Sequence, residues 1–355
     1  MSDIDIKIDK IIFSKNKFDD TKLLLNVYGK DVNNYILNSL RKVCTDQVAN
    51  YVFDPSYINI LRNSSDRDNT KLSLGLSQLV IPNIKFDNKY IPKEFYNNIE
   101  EFPEEKINIE YYLKKKNTEP ESIETVDTND LIISINDERI PVEQIYNKNM
   151  PHSLCKLKYN QEIELSMKCK LGNGEINGIY NSAHVYFVDL YTIKEELKKT
   201  NELIDIVNKE KLSSKKLSKI NPDSPTTNYL LTIVSSGQLN EIEILKRGIE
   251  LIIIKSEMIK KDINESYALE IGDSTKITFD FENEDFTCIG QLNYLLQEDK
   301  DVIYSGASKP NLLEKRINLV LTVKEGKNIV EILNRNIDKS IQYYKKILKL
   351  VNEII

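Results

Sequence analysis

The sequence predicts an α+β fold of two similar lobes, each a sheet carrying two helices, set about a pseudo-two-fold axis, with a β-rich domain inserted into the first lobe. Three observations predict it. Near the start, an apolar strand (Leu23, Leu24, Leu25, Val27) runs through Asp31 into a helix-period stretch with Val32, Ile36, Leu40 and Val43. Near the end, Ile277, Phe279 and Phe281 alternate along a strand, and past Thr287 comes a second helical stretch with Ile289, Leu292, Leu295 and Leu296. Each half then closes with a longer amphipathic helix. A strand–helix…helix unit has an apolar helix face that it cannot bury alone. Two such units in one chain are expected to cover each other, as a dimer joined into a single polypeptide.

Taken in order, the first helix is expected over 31–46, with Asp31 as its cap accepting a backbone N–H. Val48 to Phe53 reads as a short strand that stops at Asp54-Pro55. From there to residue 150 the pattern weakens. Polar stretches, Asn63 to Asn69 and Asn117 to Pro120, read as loops, with strands at Ile107 to Ile109 and Leu131 to Ile135 between them. Residues 154–171 give two strands about a turn at Tyr159-Asn160. A Gly-rich loop, Gly172 to Gly178, leads to a further strand from Ala183 to Val188.

A helix is expected over 193–209 (Leu197, Ile204 and Val207 on one side), and a Ser-, Lys- and Pro-bearing loop over 213–227. Tyr229 to Val234 is a strand, Ser236-Gly237 a turn, and 242–261 a helix with Leu245, Ile249, Ile252 and Ile259 in its stripe. A polar joint, Lys261 to Ser266, precedes the second unit: strand 276–282, helix 287–298, strands 302–304 and 316–323, and a final helix 328–353. That last stripe (Ile329, Leu333, Ile337, Ile341, Tyr344, Leu348, Val351) is long enough to be a packing surface. Helices 31–46, 242–261, 287–298 and 328–353 are expected to form the shared interface.

With 355 residues, 40% apolar and 29% charged, the chain has ordinary globular composition and room for two or three domains. A net charge of −6 argues against grip on nucleic-acid phosphates as its main task. It contains no apolar run of about 20 residues, the length a membrane span needs. Met1 to Asp5 has neither a basic n-region nor an apolar h-region. The expectation is therefore an intracellular protein with no membrane partner.

Candidate chemistry is sparse. His152, Cys155, Cys169 and His184 could in principle supply four zinc ligands, but the spacing lacks the short pairs of zinc sites. Strand alternation of Ile163, Leu165, Met167, Cys169 and Leu171 makes Cys169 a core residue instead. Gly172-x-Gly174-x-x-x-Gly178 resembles a dinucleotide loop, yet a strand and not a helix is expected behind it, so a contact loop is the better reading. Asp280, Glu282, Glu284 and Asp285 straddle a strand end and a helix entry, where carboxylates complement the helix dipole. Lys114-Lys115-Lys116 reads as a loop charge run without aromatic neighbours for base stacking. No Ser–His or Cys–His arrangement signals a nucleophile. No catalytic, cofactor-binding or metal residue is assigned.

Six segments, in order, resemble the RNA polymerase α-like family, which includes the bacterial α subunit, the archaeal D subunit and the third-largest subunit of eukaryotic polymerase II. Leu37 to Val43 (LNSLRKV) is similar to the family's first helix. Leu154 to Leu165 and Lys170 to Ser182 are similar to its strand pair and Gly-containing loop, and Thr232 to Leu251 to its closing strand, turn and helix. Ile277 to Leu292 (ITFDFENEDFTCIGQL) and Val302 to Leu313 resemble the smaller partner, the archaeal L or eukaryotic eleventh subunit. Phe286 and Asn311 stand where many relatives carry His, and the inserted domain lacks the cysteine cluster that some relatives have.

The resemblance implies two partners joined in one polypeptide, as in some large cytoplasmic DNA viruses. It implies a larger dimerisation lobe (1–51 and 183–262), an inserted β-rich domain (52–182) and a smaller lobe (263–355). The implied function is a non-catalytic assembly platform of a DNA-directed RNA polymerase, in the host cytoplasm or virion if viral. Its partners would be the largest and second-largest subunits and smaller polymerase subunits, with DNA reached only through the complex and no cofactor. The expected docking residues are Asn38, Arg41 and Lys42 on the first helix and Gly172, Gly174 and Gly178 in the loop. A stand-alone interaction scaffold outside transcription is the rival reading.

Overall fold

A computed structural model describes residues 4–15, 21–82, 90–103, 106–189, 228–267, 275–282, 284, 286–311 and 316–353. The expected helix 193–209 and loop 213–227, together with Asp285, lie outside the described residues. The fold is mixed α+β, with several antiparallel sheets and few helices. In chain order the elements are β1 (Lys7–Lys15), β2 (Thr21–Tyr28), α1 (Asn34–Lys42), β3 (Asn50–Val52), β4 (Ile58–Asn63) and α2 (Asn69–Ser77). There follow β5 (Ile109–Lys116), β6 (Glu124–Asp127), β7 (Ile132–Ile135), β8 (Glu138–Ile140), β9 (Ser153–Leu157), β10 (Glu162–Lys168), β11 (Lys170–Gly172) and β12 (Ala183–Asp189). The rest are β13 (Asn228–Ser235), α3 (Glu241–Asp262), β14 (Lys276–Glu282), α4 (Phe286–Gln297), β15 (Val302–Ser308), β16 (Arg316–Val323) and α5 (Ile329–Glu353).

The chain divides into two compact units: Met1–Thr45 with Ala183–Ser235 and Glu241–Ile355, and Asp46–Ser182 with Ser236–Asn240. In the first unit a four-stranded antiparallel sheet has the order β1-β2-β13-β12. Leu23, Leu24 and Leu25 are all buried, as are Tyr229 to Ile233, so the central strands are covered on both faces and read as continuous apolar runs. A second sheet has the order β14-β16-β15. There Ile317, Leu319, Leu321 and Val323 alternate inward, the period-2 pattern of a sheet covered on one face. Helix α3 packs on β2 and β13, and α4 on β15 and β16.

The helices of this unit also pack on one another, α1 against α4 and α3 against α5. Small and polar groups let them approach. Ser39 Oγ donates to the Thr287 carbonyl at 2.6 Å, and the Tyr35 and Tyr294 rings lie 5.2 Å apart beside Gly290. Lys260 Nζ reaches both carboxylate oxygens of Asp338, at 2.6 and 2.8 Å. Asn334 Nδ2 donates to Asn264 Oδ1 at 2.8 Å. Gly248 on α3 meets Cys44 so closely that an added Cβ would stand 2.4 Å from Sγ.

Several expectations are corrected here. Asp31 does not cap α1; Asn33 does, its side chain accepting from Ile36 N at 3.0 Å. Asp31 accepts instead from Asp5 N at 2.8 Å and from the Tyr343 hydroxyl at 3.1 Å. The joint after α3 is not a polar coil: a π-helical turn, Ile263–Tyr267, prolongs the helix.

The second unit is built mainly of strands: a five-stranded sheet, order β4-β10-β5-β7-β8, with short β11-β3 and β6-β9 ladders. Its core includes Phe53, Tyr111, Leu113, Ile133, Leu157 and Leu165. The turn at Tyr159-Asn160 forms, with Asn160 at φ 63°, yet the strands it joins go to different sheets, β9 to β6 and β10 to β4 and β5. Lys114 to Lys116 is no loop but the end of β5. Lys115 Nζ is tied to Asp130 at 2.8 Å and Glu124 at 3.0 Å, and Lys114 to Glu164 at 3.1 Å.

Candidate functional site

The candidate docking residues fall into both units. In the first, α1 is amphipathic: Ile36, Leu37, Ser39 and Leu40 are buried, while Asn34, Tyr35 and Asn38 are exposed, with Arg41 half-buried one turn on. These outward residues follow the helical repeat and form one surface stripe. Asn38 Oδ1 accepts from Arg41 Nε at 3.1 Å and from Nη2 at 2.9 Å. That pair fixes the planar guanidinium at the helix surface, so little rotamer freedom remains to be lost when a partner binds it. Lys42 is half-buried and engaged with neighbours in its own fold. Tyr35, 42% exposed, belongs to the same stripe and escaped sequence reasoning. Its signal was the spacing to Asn38, three residues on, but an aromatic at a helix start reads as core when only periodicity is used.

The three loop glycines, in the second unit, are not alike. A Cβ on Gly172 would meet the buried Tyr180 ring at 2.6 Å, and one on Gly174 would meet Asn181 Oδ1. Both glycines therefore serve internal close packing. The loop is fastened down: Glu175 N donates to the Asp46 carbonyl at 3.1 Å and Gln47 Nε2 to Glu175 Oε1 at 2.5 Å. Buried Asn173 donates to the Tyr96 hydroxyl at 3.1 Å. Gly178, exposed and with nothing within 4 Å of an added Cβ, alone has an open approach. Behind the glycines stands one 3-10 turn, Gly178–Tyr180, too short to aim a helix dipole at a phosphate.

The other constellations are also placed. Asp280 is engaged by the Arg316 guanidinium across β14 and β16, an ion pair that balances its charge. Among the described residues no group of three or more His, Cys, Asp or Glu side chains could hold a metal ion. Burial pushes the Cys155 thiol up to about 11 and Cys169 well above the usual thiol range, so neither is a ready thiolate. No helix among the described residues is long and apolar enough to cross a membrane.

Comparison with known proteins gives this geometry its context. Residues 276–349, from β14 to near the end of α5, match the model of the RNA polymerase Rpb3/Rpb11 dimerisation domain. Over those residues the chain is similar to the dimerisation domain of RNA polymerase α-like subunits. The chain as a whole is similar to a protein of Acanthamoeba polyphaga mimivirus whose name assigns it provisionally as a DNA-directed RNA polymerase subunit. The two are 23% identical over 361 aligned positions, spanning 94% of this chain and 91% of the relative.

Proposed function

We propose that the chain is a non-catalytic subunit of a multisubunit DNA-directed RNA polymerase and the platform on which its two largest subunits assemble. The observation that carries this reading is the helix pairing inside one compact unit. Helices α1 and α3 come from the N-terminal side of the joint, and α4 and α5 from the side that matches the polymerase dimerisation domain. The two halves stand to each other as dimer partners about a pseudo-two-fold axis, one lobe from 1–51 and 183–262 and the other from 263–355. Joining them in one chain removes the concentration dependence of their association.

One lobe docks the second-largest subunit and the other the largest, with smaller polymerase subunits as further partners; the setting is the host cytoplasm or virion. The α1 stripe is the docking surface: Arg41, held by Asn38, offers charge-assisted hydrogen bonds to partner carboxylates or carbonyls, and Tyr35 offers an aromatic anchor. Arg41→Ala is expected to lower recovery of the second-largest subunit about tenfold in affinity purification from infected cells, the loss of one charge-assisted contact. The melting temperature of the isolated chain should not change. Unchanged recovery would remove Arg41 from the docking surface, and purification without any polymerase subunit would overturn the platform reading.

A further inference from the structure

We propose that a cleft in the second unit, between the β3–β11 ladder and the start of β5, is a socket for an acidic peptide segment of a partner protein. The segment it fits sets a carboxylate beside an apolar side chain. The cleft has a volume of about 430 Å³, within the range of ligand pockets. Part of its wall is apolar, from Tyr51, Ile107 and Leu171, of which Tyr51 and Leu171 are mostly buried. Around that wall stand three lysines, Lys106, Lys168 and Lys170, against Glu100 as the one acidic group among the described lining residues. In a chain of net charge −6, a cationic rim on an apolar cleft is a local inversion, and it complements an acidic ligand.

The cations are held in place. Lys106 Nζ donates to the Glu100 carbonyl at 2.8 Å. Lys170 Nζ lies 3.4 Å from the Tyr57 hydroxyl and 4.8 Å from the centre of its ring, a cation–π contact. Lys168 pairs with Glu110, its neighbour across β10 and β5, at 3.3 Å. Glu100 is itself engaged: the Tyr57 hydroxyl donates to its Oε1 at 2.6 Å, and that bond first of all holds its carboxyl below the usual range. An ammonium has three donors, so each lysine keeps capacity for an incoming carboxylate. An inorganic phosphate would use the lysines and leave the apolar wall wet. A peptide with an aromatic or leucine side chain between aspartates uses both, which decides between the two ligands.

The socket does not depend on the polymerase reading, because the isolated full chain can be titrated directly. The probes are short fluorescein-labelled peptides with Phe or Leu flanked by Asp, read by fluorescence polarisation. Matched peptides carry Asn for Asp, or Ala for the apolar residue. Saturable binding is expected, weaker by about tenfold for either control, the loss of one charge-assisted contact or one apolar anchor. The double variant Lys106→Ala/Lys170→Ala should lose it with an unchanged melting curve, and Lys106→Arg/Lys170→Arg should retain it. No saturable binding, equal binding of the Asn peptides, or complete displacement by millimolar inorganic phosphate alone would each overturn the proposal.

Discussion

Asp31 shows what a residue type announces and what only the tertiary structure decides. A side-chain oxygen before a helix-period run is a capping signal, and the reading of Asp31 as the cap passed over Asn33 two residues on. Asn33 takes the cap; Asp31 binds the backbone of Asp5 and the hydroxyl of Tyr343, residues distant in sequence that no local pattern brings near. Gly248 is a second case. A glycine inside a helix looks like a weak point from propensity, but here it is the surface on which Cys44 rests. Gly248→Ala is expected to destabilise the fold by about 1–3 kcal/mol, the cost of overpacking. Cys44→Ala in the same chain should recover part of it, as urea unfolding would show. A third set is Asp299 and Asp301, bound by Arg335, with Asn336 Nδ2 also donating to Asp299 at 2.7 Å. Burial pushes the Asp299 carboxyl up, but the bonds from Arg335 and Asn336 outweigh it, and Arg335 lowers Asp301 directly. Carboxylates whose folded pKa is depressed stabilise the fold above the unfolded value of about 4 and lose that contribution as pH falls through the folded value. Arg335→Gln should therefore lower the urea midpoint at pH 7 and flatten its decline below about pH 4. A variant that declines as steeply as the parent would remove this cluster from acid unfolding.

At the scale of elements, long periodic segments were legible. The stripes of α3 and α5 run from Glu241 to Asp262 and from Ile329 to Glu353, within a residue or so of the ends their periodicity predicts. Alternation likewise placed β14 and β16. Helix α2 was missed for a physical reason: Leu72, Leu74, Leu76 and Leu79 begin as an every-second-residue pattern, which reads as strand or loop. The structure buries Leu72 and Leu76, one helical turn apart, and leaves Leu74 exposed, while Asp68 caps the helix by accepting from Lys71 N at 2.9 Å. Strand β5 was half missed because three successive lysines suggest a solvated loop; Glu164 across the sheet, with Glu124 and Asp130 from neighbouring segments, supplies the charge balance that the local sequence lacks. The surface stripe of α1 was legible in Asn38 and Arg41, whose spacing of three sets them on one helix face. The packing need at Gly172 was not legible, because the ring it accommodates, Tyr180, comes from the next turn. Leu333 on α5, fully buried in the stripe, tests the helix packing. Leu333→Ala should cost about 2–5 kcal/mol by denaturant titration, and a change well under 1 kcal/mol would mean that this face is not packed as described.

For the whole molecule, the doubling of a strand–helix…helix plan was the most telling pattern, because neither copy can bury its own helix face. The structure puts segments of both copies into one compact unit, with α1 on α4 and α3 on α5. What the sequence could not supply was the second unit's sheet order, which depends on long-range pairings such as β4 with β10. The central claim is that the two halves of the first unit are mates, and cutting the chain tests it most directly. Residues 1–267 and 268–355 would be co-expressed as two polypeptides with a tag on one, then purified and sized. The account predicts recovery as a one-to-one complex, with either piece alone aggregated or poorly folded because its helix face is open to water. Two pieces that purify separately, each monomeric and cooperatively folded, would contradict it.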